Sequence, residues 1–221
     1  MTPSESLKLR VLEAVHQQPA PRRTDRLPSA IALAALAAAG MLATLEWGPI
    51  LLGRTGGVAH AAGRPAAIGA WILGGTVVLA LASTWLVLPS RRSMLSPPRG
   101  LLLGVAIALP LLLGAWLVLW HGTYDERLAT IGKRCFALTT LTAPWPFAAL
   151  AYASRRAEPR HPGMVGAALG AVAGAWAAVM DALWCGQTGY AHVLFGHALP
   201  LAVLTLVGSA IGVRMFRLQR G

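Results

Sequence analysis

The sequence predicts an all-α, polytopic membrane protein with six transmembrane helices and both termini in the cytoplasm, on three observations. The 221 residues are 56% hydrophobic and only 12% charged, with a mean hydropathy of +0.59, outside the usage of an ordinary soluble domain. The apolar residues come in runs long enough to cross roughly 30 Å of hydrocarbon at about 1.5 Å per residue. The charges lie between these runs, and assigning alternate connectors to opposite sides puts 14 Lys and Arg on one side and 5 on the other. The richer side is the cytoplasmic one.

Residues 1–27 form a polar cytoplasmic segment. Thr2, Pro3 and Glu5 fit a capping box with proline at the first helical position. Leu7, Val11 and Val15 then recur at four-residue spacing with Leu12 beside them, until Pro19 and Pro21 end the pattern. So short an amphipathic helix has nothing of its own to pack against, so it either lies on the membrane surface or docks on a protein partner. Lys8, Arg10, Arg22, Arg23 and Arg26 precede any apolar run, unlike a cleavable signal peptide, so the first span is expected to be the insertion signal.

The transmembrane domain is predicted over residues 28–213, with spans at about 29–51, 65–88, 100–120, 135–153, 163–184 and 193–213, followed by a basic cytoplasmic tail at 214–221. Trp47, Trp71, Trp85, Trp120 and Trp184 fall near span ends, where amphipathic rings favour the headgroup layer. Pro110, Pro144, Pro146 and Pro200 fall inside spans and predict kinks, above all in the fourth. Gly166, Gly170 and Gly174 place a glycine strip on one face of the fifth span, and helix packing within the chain is the expected use of it, ahead of a dimer interface. The net charge of +11 would suit a nucleic-acid binder in a soluble protein, but here it follows the topology, so no direct nucleic-acid binding is expected.

Candidate chemistry gathers on the extracytoplasmic side. Cys135 begins the fourth span and Cys185 ends the fifth, and one short cytoplasmic connector joins their helices, so the two thiols are expected to be neighbours in a compartment that tolerates disulfides. Lys133 and Arg134 beside the first thiol favour a thiolate, the form that is oxidised. A redox-active pair, a static disulfide and two unconnected thiols all remain open on these residues. His60, His121, His192 and His197 also fall near this face with Asp125 and Glu126, but no compact spacing such as His-x-x-x-His occurs, so no metal ligand and no cofactor is assigned. Asp181 precedes Cys185 by one helical turn and Glu46 lies near the outer end of the first span; both are expected to be partly hydrated, with Asp181 also a possible hydrogen-bond partner for the Cys185 thiol. No P-loop, Gly-x-Ser-x-Gly or His-Glu-x-x-His motif occurs, so no catalytic residue is assigned.

The stretch from Arg134-Cys135 through Ala143-Pro144-x-Pro146, Arg155-Arg156, Pro159, Pro162-Gly163, the Gly166/Gly170/Gly174 strip and Cys185 resembles the NrsF family of bacterial membrane anti-sigma factors. The family is similar in length and in its six spans. Its polar, leucine-bearing N-terminal segment ends in a Pro/Arg stretch like that from Leu7 to Arg23. After the second cysteine this chain departs from the usual pattern, reading Cys185-Gly186-Gln187. The resemblance implies a non-enzymatic protein of the bacterial inner membrane that sequesters an extracytoplasmic-function (ECF) sigma factor and releases it on an oxidative, light-generated or metal signal. It further implies that Leu7, Val11, Leu12, Val15, Arg22 and Arg23 hold the sigma factor, and that Cys135 and Cys185 match the family's redox-linked pair. The alternatives are a small six-span transporter or membrane enzyme using Asp181, Glu46 and the outer histidines, or an assembly subunit using the glycine strip.

Overall fold

The computed structural model describes residues 6–8, 10, 13, 27–51, 66–87, 99–119, 132–155, 159–185 and 190–217. Among these the chain is helical, with no strand. The helices are α1 (Leu27–Leu51), α2 (Ala66–Val87), α3 (Arg99–Leu119), α4 (Lys133–Thr142), α5 (Pro144–Ser154), α6 (Pro162–Trp184), α7 (Tyr190–Val193) and α8 (Leu199–Arg217), with a π-helical turn at Leu194–Ala198 between the last two. They occupy the apolar runs, the fourth run being divided into α4 and α5 and the last into α7, the π turn and α8. Two stretches of described residues are long and apolar enough to cross a membrane, Pro162–Asp181 and Ala191–Phe216; those at Ile31–Thr44, Gly74–Val87 and Arg99–Leu109 are shorter.

The chain divides into two compact units, Met1–Leu33 and Ala34–Gly221. In the first, Ser6, Leu7, Lys8, Arg10 and Glu13 are helical and exposed. Leu7 is 66% exposed, an apolar side chain without cover in its own unit. Val11, Leu12, Val15, Arg22 and Arg23 lie outside the described residues.

The second unit is built around α6. That helix is made largely of Ala, Gly and Val, and small side chains let neighbouring backbones come close. Ala168, Leu169, Ala171, Val172 and Ala177 are buried. Helix α8 packs on α6 most extensively, followed by α3, α2 and α5. Leu79 and Leu86 of α2, Leu102 of α3, Leu150 of α5 and Leu201 of α8 complete one apolar core with Leu169 and Val172.

The α6–α8 contact is a backbone seam. A Cβ placed on Gly166 would run into the carbonyl oxygen of Gly208 and lie 2.8 Å from the Cα of Gly212, while one on Gly212 would lie 2.6 Å from the Cα of Gly166. Gly170 meets Leu204 and Gly208 in the same way. Gly174 ends the strip more loosely, facing the side-chain tips of Leu201 and Leu204 at 3.0 and 3.2 Å. The strip thus packs inside the chain, and its partner strip is Gly208-x-x-x-Gly212.

Two breaks have local causes. Between α4 and α5, Pro144 and Pro146 have no N–H to donate, although Ala143 N–H still reaches Thr139 O at 3.0 Å and Phe147 N–H reaches Ala143 O at 3.1 Å, so helical hydrogen bonding carries across the break. The π turn ends two residues before Pro200, which cannot donate to a preceding carbonyl and whose ring crowds the turn before it. Indole N–H groups tie outer helices to the rest: Trp145 Nε1 donates to Thr44 Oγ1 at 3.0 Å, and Trp176 Nε1 to Ser83 Oγ at 3.0 Å. Outward faces stay apolar, with Leu81 66% and Leu206 71% exposed and Leu36, Val77, Val78, Ile107 and Val207 also uncovered.

Candidate functional site

One end of this unit collects the start of α4, the end of α6, and α7 with its π turn. Gly132 begins α4 in the left-handed region, φ 61°, and accepts the first helical hydrogen bond from Phe136 N–H at 2.8 Å. Cys135 sits buried in that first turn. Lys133 and Arg134 beside it are exposed. Cys185 caps α6, its N–H donating to Asp181 O at 2.7 Å, in extended backbone that ends the helix.

Two glycines close the gap between α4 and the π turn. A Cβ on Gly196 would lie 3.1 Å from both Cys135 Cβ and Gly132 Cα, and a Cβ on Gly132 would lie 2.6 Å from Gly196 N and 2.8 Å from His192 O. The backbones therefore touch, which sets Cys135 against the histidine-bearing turn. Gly132→Ala combines a left-handed penalty of about 1–2 kcal/mol with a backbone collision, and is expected to lower stability by about 2 kcal/mol or more in thermal unfolding of the detergent-solubilised protein. A Gly104→Ala control, with nothing within 4 Å of the new methyl, should melt with the unmodified protein.

What this packing assembles is a four-residue cluster. The thiols of Cys135 and Cys185 and one ring nitrogen each of His192 and His197 all lie within 4.8 Å of one another. Both cysteines are thiols rather than a disulfide. Cys185 Sγ is 3.2 Å from His192 Nε2, and the two imidazole rings are 5.7 Å apart and tilted by 54°. Cys135, His192 and His197 are buried, and Cys185 is partly so.

A second layer lies one helical turn deeper. Asp181 is fully buried, and its Oδ2 accepts from Thr139 Oγ1 at 3.1 Å and lies 3.3 Å from His197 Nδ1. Asp181 Oδ1 is buried without a hydrogen-bond partner. Cys135 and Thr139 on α4 thus face Cys185 and Asp181 on α6, each pair separated by one turn. The carboxylate expected at a hydrated interface is instead enclosed, its Oδ2 meeting His197 and Thr139, while its backbone carbonyl accepts from Cys185 N–H.

Of the residues singled out in the sequence, the structure brings together Cys135, Cys185, Asp181, His192 and His197. Glu46 falls within α1, and His60, His121, Asp125 and Glu126 lie outside the described residues. Thr139, Gly132 and Gly196 were not signalled by any motif. Thr139 alone left a trace, standing four residues after Cys135.

Such a cluster can form a disulfide or hold a thiophilic cation, and it has no hydroxyl nucleophile and no open cleft carboxylate pair for hydrolysis. Residues 15–218 match the model of the NrsF family, negative regulator of sigma F. The chain belongs to the NrsF family. The match takes in every helix from α1 to α8 and the whole thiol and histidine cluster, while Leu7, Val11 and Leu12 precede it. Membership makes the chain a negative regulator of a sigma factor, a class of transcription regulator and not of enzyme, with a sigma factor as partner. No curated protein and no solved structure matches the chain.

Proposed function

We propose that this NrsF-family protein is an anti-sigma factor embedded in the bacterial inner membrane. On this reading its N-terminal segment holds an ECF sigma factor in the cytoplasm, and Cys135 and Cys185 report an oxidative signal at the outer face. The observation that carries it is the convergence of the chain's two cysteines at one end of the helical unit, across elements 50 residues apart in sequence, with Arg155, Arg160 and Arg214 near the other helix ends. The 14-to-5 division of basic residues orients that arrangement. The uncovered outward leucines and valines fit a lipid solvent, in which they need no further partner.

The chemistry of the signal follows from the pair. Hydrogen peroxide would accept two electrons from the thiols, join their sulfurs and leave as two waters, with the two thiol protons consumed in forming them. That bond would draw the start of α4 against the end of α6. Release of the sigma factor would follow if α4, α5 and the cytoplasmic connector move with it.

Leu7, Val11, Leu12, Val15, Arg22 and Arg23 are the proposed contacts with the sigma factor. Co-expression with an ECF sigma factor encoded beside the gene should give a complex that survives membrane solubilisation and affinity purification. Removing residues 1–20 is expected to reduce capture to background; undiminished capture would move the interface elsewhere.

A further inference from the structure

The two thiols stand in a donor set larger than a disulfide needs. We propose that Cys135, Cys185, His192 and His197 form a closed, four-ligand Zn2+ site, with Asp181 and Thr139 as its supporting layer. Two sulfurs and two imidazole nitrogens are the donor set of tetrahedral zinc, and four protein ligands leave no open position for a substrate. A tetrahedral zinc with sulfur at about 2.3 Å and nitrogen at about 2.0–2.1 Å holds its donors roughly 3.3–3.8 Å apart. The Cys185 Sγ to His192 Nε2 distance is 3.2 Å and all four donors lie within 4.8 Å, so closing on an ion takes side-chain adjustments only.

The deeper layer supplies the independent observation. Histidine ligands of zinc characteristically give their other ring N–H to a carboxylate, which fixes the tautomer and the ring orientation. His197 has such a carboxylate at hand: its Nδ1 lies 3.3 Å from Asp181 Oδ2, so ligation through Nε2 would leave the Nδ1–H for Asp181. Asp181 is itself oriented by Thr139 and enclosed completely. A buried carboxylate in an apolar bundle is costly, and orienting a ligand is a reason for it to be there. Binding replaces the two thiol protons by one dication and leaves every other bond intact. Zinc and a disulfide need the same sulfur lone pairs, so each state excludes the other. The inference deepens the sensor reading and rests on it only in taking this cluster as the place where sigma-factor release begins.

Zinc binding is measured on the full-length protein in lipid nanodiscs without any sigma factor, after stripping with a chelator. One Zn2+ per chain should bind in competition with a chromophoric chelator, and Co2+ in its place should show tetrahedral ligand-field bands with a thiolate charge-transfer band. Zinc should slow maleimide labelling of both cysteines by about tenfold or more, a test that needs no variant. Asp181→Ala should weaken binding by about 10–100-fold and Asp181→Asn should recover part of that loss. An octahedral cobalt spectrum, unchanged maleimide labelling, or His192→Gln and His197→Gln variants that bind zinc as the parent does would each overturn the site. Because no sigma factor is present, failed co-purification would leave a positive titration standing, and a failed titration would leave sequestration standing.

Discussion

Cells carrying Cys185→Ser are expected to leave a sigma-dependent reporter at its uninduced level when challenged with peroxide, while the parent induces fully. Serine nearly matches cysteine in size, so the variant should fold and still hold the sigma factor. Its oxygen, however, forms no disulfide and is a poor ligand for a soft cation. Cys135→Ser should fail in the same way, because either chemistry needs both sulfurs. The exposed His161 is the control, and His161→Gln should induce like the parent. Full induction in both cysteine variants would remove the pair from the signalling route while leaving family membership untouched.

The largest structural effect is expected at Gly166. Its new methyl in Gly166→Ala meets the Gly208 carbonyl oxygen and the Gly212 backbone, neither of which can swing aside as a side chain can. Overpacking of this kind costs about 1–3 kcal/mol, and backbone against backbone belongs at or above the upper end. Thermal aggregation of the solubilised protein should therefore begin well below the parent's temperature. Gly174→Ala meets only the flexible ends of Leu201 and Leu204 and should be much milder. Equal losses at Gly166 and Gly174 would show that the seam is not what sets the α6–α8 distance.

Helix positions were legible because they follow from run length. The runs expected at 29–51, 65–88, 100–120 and 163–184 differ by at most two residues at any end from the helices Leu27–Leu51, Ala66–Val87, Arg99–Leu119 and Pro162–Trp184. The proximity of Cys135 and Cys185 was legible too, from the short connector between their helices. The histidines were not. On a regular α-helix residues five apart are rotated by about 140°, so His192 and His197 read as facing different ways. The π turn at Leu194–Ala198 widens the coil and brings both to one place, and the only local hint of it is Pro200. Asp181 misled for a related reason, since its spacing to Cys185 pointed along α6, whereas its Oδ2 meets Thr139 of α4 and His197 of the π turn. Gly132 and Gly196 carry no pattern at all, because a contact between backbones distant in sequence leaves no period to read.

The π turn also works as a phase setting. It holds one residue more per turn than an α-helix, so everything after it on α8 is rotated by about 100° and shifted by about 1.5 Å from where an uninterrupted helix would put it. Gly208 and Gly212 meet Gly166 and Gly170 only in that shifted frame. The cluster at one end and the seam along α8 are therefore two readings of a single register, and tightening the turn around His197 would turn the glycine face off α6.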